Sequence, residues 1–519
     1  MARLSRLLSL RFGAVLAALC APVMAPAEAD VSTKELRARL KVVEARSADA
    51  PLRAVDVAAL RAELGLGQAP DQAPQAGFGG AGGLFSLASV QPQPAQASAA
   101  SGKPMDVSTT NFRLMLATLA QTHTGVNNLS VVNAQGPRGP VALSVRSGRV
   151  SLADIQALSA QQGFAPRADG TLTAPVLLWK DATLVLRPGE RLAFDRASGA
   201  FLLSMGRIDI DGALIEAVGS DNPYEENFRP FITVLSGGAL VMRNATVRGL
   251  GFGRSNKFAG LTIAGNPLMQ SDAEVVIENS LFEDIKIVTV SGTADAVVSG
   301  NTFQNARSNA LNISAAPRAQ ITQNLFRGAS PTNAIRVELG SDRAVIEKNV
   351  FLAGARVAIL VQGGSGHVAV KDNLIWRRDG AGIKFLNARC GRAEGNLLLD
   401  NQQKGIEVRK SDGVVVANNL LAGNRSAGVW VSAQAGDAQT SVNGNRFEGN
   451  GSGLSAATGA VIWVAQNNFK RQLPKVLDGD IARLSTAVVR ALEGTGPLRF
   501  ADGQSQAKDT LAALCGGDA

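Results

Sequence analysis

Residues Gly395–Leu421 read GNLLLDNQQKGIEVRKSDGVVVANNLL. Asn-Leu-Leu occurs at Asn396 and again at Asn419, with a strand-like phrase between the two. The word Asn-x-Phe/Leu extends in both directions. It begins at Asn279, Asn301, Asn324, Asn349, Asn373, Asn396, Asn419, Asn445 and Asn468, so successive steps are 22, 23, 25, 24, 23, 23, 26 and 23 residues. Between these words stand AIRVEL, AILVQG, GIKFLN, GIEVRK and GVWVSA, which alternate apolar and polar residues with the period of a strand. No stretch of a unit reads as a long helix. Units of this length, with short strands and Gly/Asn turns, are coils of a parallel β-solenoid. Asn suits a corner, because it tolerates left-handed backbone and its amide can bond the same amide one coil away. An antiparallel sandwich also has regular turns, but it does not repeat one word at a fixed step.

The composition fits an all-β core of small aliphatic residues. The 519 residues include 55 Gly, only 5% aromatics, 45% hydrophobics and 18% charged residues. The first eleven residues hold Arg3, Arg6 and Arg11 and no acid. An apolar run follows, then Ala27-Glu28-Ala29, so residues 1–29 read as a signal peptide and the chain is expected in the periplasm. The apolar run is short for a permanent anchor. Leu19 before Cys20 argues against a lipoprotein signal. Removing three Arg and Glu28 takes +2 from the formal +9, leaving +7. In an exported protein that balance favours acidic glycans and not nucleic acid. Cys390 and Cys515 can pair in an oxidising compartment, or remain as two free thiols.

Residues 30–66 read as two short helices. Ser32-Thr33-Lys34-Glu35 resembles a capping box, Leu36, Leu40 and Val43 share one face, and Val55, Leu60 and Leu64 mark the second helix. They form either a local hairpin or an arm that docks other polysaccharide-secretion proteins. Residues 67–105, rich in Gln, Pro, Ala, Gly and Ser, read as a flexible linker, and the GFGGAG within them lacks the strand and helix a nucleotide loop needs. Residues 106–175 read as an α/β segment with a Ser151 helix cap, residues 176–470 as the solenoid, and residues 471–519 as a helical cap and tail, the helix at Asp480–Glu493.

From Asn227-Phe-Arg-Pro-Phe231 onward the chain resembles the periplasmic mannuronan C5-epimerases of alginate-secreting bacteria. The likeness includes Gly237-Gly238, the segment LGFGRSNKFAGLTI at Leu250–Ile263, the coils through Asn468 and the closing LPKVLDGDIARLSTAVVRALE. Upstream, SLADIQAL and LTAPVLLWKDATLVL are also similar. The resemblance spans roughly residues 140–500 and implies a right-handed parallel β-helix with a polymer groove along one face. It also implies a His inside an Asp-Pro-His-Asp motif and an Arg one coil later. By repeat register the motif falls on Asn312, Ile313, Ser314 and Ala315, and the Arg falls near Leu339. None of these residues is a base suited to neutral pH.

On the alternating phrases, first and third strand positions point inward and those between point outward. One outward column is then Asn312, Arg336, Leu360, Lys384, Glu407, Trp430, and the next is Ser314, Glu338, Gln362, Leu386, Arg409, Ser432. Arg336, Lys384 and Arg409 suit sugar carboxylates and Trp430 suits a sugar ring. A solvated face with mixed charges is the plainer reading. His123 and His367, the two histidines, lie away from the groove phrases, and Tyr224 reads as packing. No cofactor and no metal site is expected. Two functions follow. One is an exported module that binds an anionic exopolysaccharide. The other is a uronan epimerase or lyase with a rewired site, Lys384 as base and Arg409 or Arg336 on the carboxylate. A surface adhesin is a third, weaker reading.

Overall fold

The computed structural model describes residues 32–49, 54–66, 104–122, 128–235, 237–253, 255–266, 271–328, 330–494, 496–501 and 515. Residues 1–29, read as a signal peptide, most of the segment read as a linker, and His123 lie outside them. Each coil contributes one strand to each of three parallel sheets. In one coil these are Ile335–Glu338 in the first sheet, Val345–Glu347 in the second and Val350–Leu352 in the third. Ile335 pairs with Ile359 of the next coil, Val345 with Ala369 and Val350 with Leu374. The third sheet has twelve strands. Inward residues fill the bore, including a stack of Phe282, Phe303, Phe326 and Phe351 with ring centroids 4.7–5.0 Å apart. The parallel β-helix expected from the repeat is what forms.

Stacked asparagines hold the corner between the second and third sheets. The Oδ1 of Asn324 accepts from the backbone N–H of Asn301 at 2.9 Å and from its Nδ2 at 3.0 Å, and the Asn301 Nδ2 also donates to the Ile277 carbonyl. The same bonds recur through Asn349, Asn373, Asn396, Asn419 and Asn445. Two details differ from the sequence reading. The left-handed residue is the one before the ladder Asn, such as Gln323, Lys348 or Asp372, because the ladder amide needs an ordinary backbone to face the bore. The ladder ends on Ser280 and Asn467, one position away from Asn279 and Asn468. A second ladder, Asn401 to Asn424 to Asn450 to Gln472, holds the corner between the third and first sheets.

The ends are closed. Strand Val141–Ser151 already pairs in parallel with Val176–Leu186, so stacking starts inside the segment read as an α/β entry to the solenoid. Helices are α1 (Thr33–Asp49), α2 (Val57–Glu63), α3 (Arg113–Thr122), α4 (Asn128–Asn133), α5 (Leu152–Gln161) and α6 (Ser485–Val489). In α5 the Ser151 hydroxyl accepts from the Asp154 N–H and the Asp154 carboxylate accepts from the Ser151 N–H, a reciprocal cap. Leu152 and Ile155 close the bore. At the far end a short 3₁₀ turn, α6 and the antiparallel strand Leu498–Ala501 replace the single helix expected at 480–493. Cys390 and Cys515 are joined as a disulfide 125 residues apart in sequence.

The helical arm lies on its own solenoid. Leu36, Leu40, Val43, Val57, Leu60 and Leu64 pack on Leu325, Val350, Leu352, Leu374, Trp376, Leu399 and Ala422 of the third sheet. The apolar stripe read as a docking arm for other proteins is therefore already covered. The upstream part of the first sheet is covered as well. Phe112, Met115, Leu116 and Leu119 with Phe228, Phe231, Phe252 and Phe258 seal Leu177, Leu203, Leu235 and Ala264 on its outer face.

Candidate functional site

The first sheet places the outward residues in the register expected. Thr233 pairs with Thr262, Thr262 with Thr289, Thr289 with Asn312, and Asn312 with Arg336. The column continues through Leu360, Lys384, Glu407 and Trp430. In the second column Ser314 pairs with Glu338, Leu386 with Arg409 and Arg409 with Ser432. The Gln362 amide donates to the Glu338 carboxylate at 3.0 Å. Strand spacing puts neighbours in a column about 4.8 Å apart. Each strand ends in a left-handed residue, Ala315, Leu339, Asn387, Lys410 or Ala433, which turns the chain toward the second sheet.

The charges sit in pairs. Lys384 Nζ lies 3.1 Å from Glu407 Oε1, and Lys404 Nζ lies 3.7 Å from Glu407 Oε2. The Glu407 side chain is only 6% exposed, and two ammonium groups compensate its desolvation. Lys404 also lies over the Trp430 ring, 5.4 Å from its centroid. Arg336 Nη2 bonds Glu338 Oε2 at 2.7 Å. Arg409 is exposed and has no ion pair among the described residues. Four cations face two carboxylates. Sequence reading missed Lys404. Alternation gave no sign of it, because in a regular strand a residue three before the outward Glu407 faces the bore.

The motif positions hold no acid–base group. Asn312 and Ser314 are outward and buried, Ile313 is in the bore, and Ala315 is in the turn. Both polar atoms of the Asn312 side chain are buried without a partner, as are Thr289 Oγ1 and Arg336 Nε. Leu339 is exposed in its turn. His367 is an exposed, left-handed turn residue between the first and second sheets, off the groove. The Tyr224 ring lies against Gly136, yet the residue is 55% exposed, so packing is only part of its setting. Lys384 is held in its ion pair with Glu407.

The strands carrying Thr289 and Asn312 start from a basic corner. Arg229 and Arg307 bond Asp284 at 2.9 and 3.0 Å, and Arg307 Nη2 donates to the Leu250 and Gly251 carbonyls. Burial, with the charge of Arg229, pushes the Arg307 guanidinium down to about 10. Burial, with the charge of Arg307, lowers Lys286. Among the described residues no group of His, Cys, Asp and Glu is arranged to hold a metal ion, and no helix is long and apolar enough to cross a membrane.

Three parallel sheets, stacked polar corners and a charged outward column define a β-helix. The family model described as "Right handed beta helix region" matches residues 220–375 and 330–469, which gives the hand expected. Among solved structures the chain is similar to the periplasmic alginate epimerase AlgG, with 19% identity and a TM-score of 0.58 over 73% of this chain and 93% of that one. A doubly substituted form of AlgG matches at 19% identity and a TM-score of 0.57, with the same coverage. The A-module of the Azotobacter vinelandii mannuronan C-5 epimerase AlgE6 matches at 13% identity and 0.40, covering 64% of this chain and 91% of that one. No curated protein sequence matches.

Proposed function

We propose that this chain is an exported β-helix protein that binds an anionic exopolysaccharide along its first sheet during the polymer's modification or secretion, without the usual epimerase chemistry. One observation carries the reading. Lys384 and Lys404 flank Glu407 beside the Trp430 ring, while Asn312, Ser314 and Ala315, on which the family's catalytic motif falls by repeat register, carry no acid–base group. Cations flanking an aromatic face recognise acidic sugars, and Arg409 and Arg336 extend the positive strip. The likeness to AlgG supports this reading through shared architecture.

A rewired epimerase or lyase is the second reading, because Lys384 and Arg409 stand on neighbouring strands. Incubating polymannuronate with the protein in deuterated water separates the two. The binding module leaves no deuterium at C5 and no guluronate H1 signal by NMR. Turnover abolished by Lys384→Ala or Arg409→Ala establishes the enzyme instead. Changing Arg336, Lys384 and Arg409 together to Ala weakens polymer binding and flattens its salt dependence, with folding retained. Unchanged binding moves the site off this sheet.

A further inference from the structure

The outward column is covered at one end. Going upstream along the outward column, residues change from Trp, Glu, Lys and Arg to Asn312, then Thr289, Thr262 and Thr233, then Leu203 and Leu177. Thr262 and Thr233 are sealed: their hydroxyls donate to the Asn256 and Lys257 carbonyls at 2.7 and 2.6 Å. The two leucines lie under the aromatic plug of α3 and the loops around Phe228 and Phe258. Thr289 and Asn312 are buried too, and Arg336 is the first partly exposed residue of the column, so a chain lying along it ends against them. Downstream, the column reaches Asp478, whose side chain is 43% exposed.

Directly below the plug, three consecutive strands present Thr289 Oγ1, both side-chain polar atoms of Asn312, and Arg336 Nε, all buried and unpartnered. Native interiors rarely leave such groups unmatched, and each costs about 1–3 kcal/mol. Their clustering at the blocked end marks a place for an oxygen-rich group. Arg336 is the partly exposed member of the cluster, at 37%, and its one ion pair is to Glu338. The corner feeding these strands is basic, through Arg229, Lys286 and Arg307.

We propose that Thr289, Asn312 and Arg336 hold the terminal sugar of an acidic polysaccharide, so that the polymer is bound end-on and runs from there toward Trp430. This rests on the polymer-binding reading above and adds its direction and its stop. The measurement is stoichiometry. Uronic-acid chains, size-fractionated from short oligomers to long polymer, are titrated with the protein in an analytical ultracentrifuge. End-on binding saturates at one protein per chain whatever the chain length. A ratio that rises with length means lateral binding and overturns the proposal while leaving polymer binding intact. No binding to any chain overturns both. Asn312→Leu removes the orphaned amide, so its melting temperature holds or rises while affinity for oligomers falls about tenfold. Thr289→Val, which changes volume little, gives a smaller loss in the same direction. Full affinity in both folded variants overturns the assignment of the pocket.

Discussion

Asn373 shows how one side chain serves two coils. Its Oδ1 accepts from the Asn349 backbone N–H and Nδ2, both at 3.0 Å, and its own Nδ2 donates to the Ile346 carbonyl and to Asn396. Replacing it with Leu keeps much of the volume and orphans two buried donors and a carbonyl. Asn373→Leu should cost about 3 kcal/mol, measured by urea unfolding with hydrogen exchange on the coils either side. A change within about 0.5 kcal/mol would show that water replaces the ladder bonds. Arg378 is a comparable case at the other corner. Its buried guanidinium donates to the Ala353, Ala355 and Thr332 carbonyls, and burial pushes it down to about 10. Asn repeats were legible in the sequence because hydrogen bonds that recur every coil force the same residue to recur. The ends of the ladder were not, since Ser280 does the same work with a hydroxyl where the Asn word begins one residue early.

At the scale of single elements, α5 carries the closed upstream end of the bore. Hydrogen bonds from the Ser151 amide and hydroxyl hold the Asp154 carboxyl below its ordinary value. A carboxyl lowered by folding adds stability that is present above the ordinary carboxylate range. That stability is lost as pH falls through the lowered value. Acidification below about pH 4 should therefore fray α5, seen as faster hydrogen exchange in peptides spanning Leu152–Gln161 by mass spectrometry. Asp154→Ala should show the fast exchange already at neutral pH and no further acid response in that peptide. An acid response of equal size in the variant would assign the effect to other carboxylates. The strands and the cap of α5 could be read in advance because their patterns are local: alternation for one, a Ser-x-x-Asp spacing for the other. The aromatic plug could not. Phe112, Phe228, Phe252 and Phe258 sit in turns and loops, spread over more than a hundred residues with no period, and only folding brings them onto one sheet. Which part of the first sheet's outer face is covered was invisible for the same reason.

For the whole molecule, the third sheet raises the question of what keeps its apolar outer face from water. Val350, Leu352, Leu374, Trp376 and Leu399 form a patch that α1 and α2 cover, and polar contacts fix how the helices lie. Arg37 makes a forked pair with Asp400, whose other oxygen also accepts from Trp376 Nε1 at 3.3 Å. Arg377 pairs with Glu44 at 2.7 Å, the Thr33 hydroxyl bonds Glu448, and Arg61 donates to the Asp372 carbonyl. The surface pairs are each worth little, so burial of the leucines carries most of the docking. Leu40 and Leu60 lie near its centre, one on each helix. Leu40→Asp with Leu60→Asp should release the arm, because each change removes apolar burial and places a carboxylate against the sheet. The expected result is rapid proteolysis within residues 33–66, increased binding of a hydrophobic dye and concentration-dependent association. The far-ultraviolet spectrum of the solenoid and its polymer affinity should barely change, since the groove lies on another sheet. If the doubly substituted arm still resists protease, its polar contacts suffice to hold it. If instead the solenoid unfolds with the arm, the helices are part of the folding unit and not a cover laid over a finished β-helix.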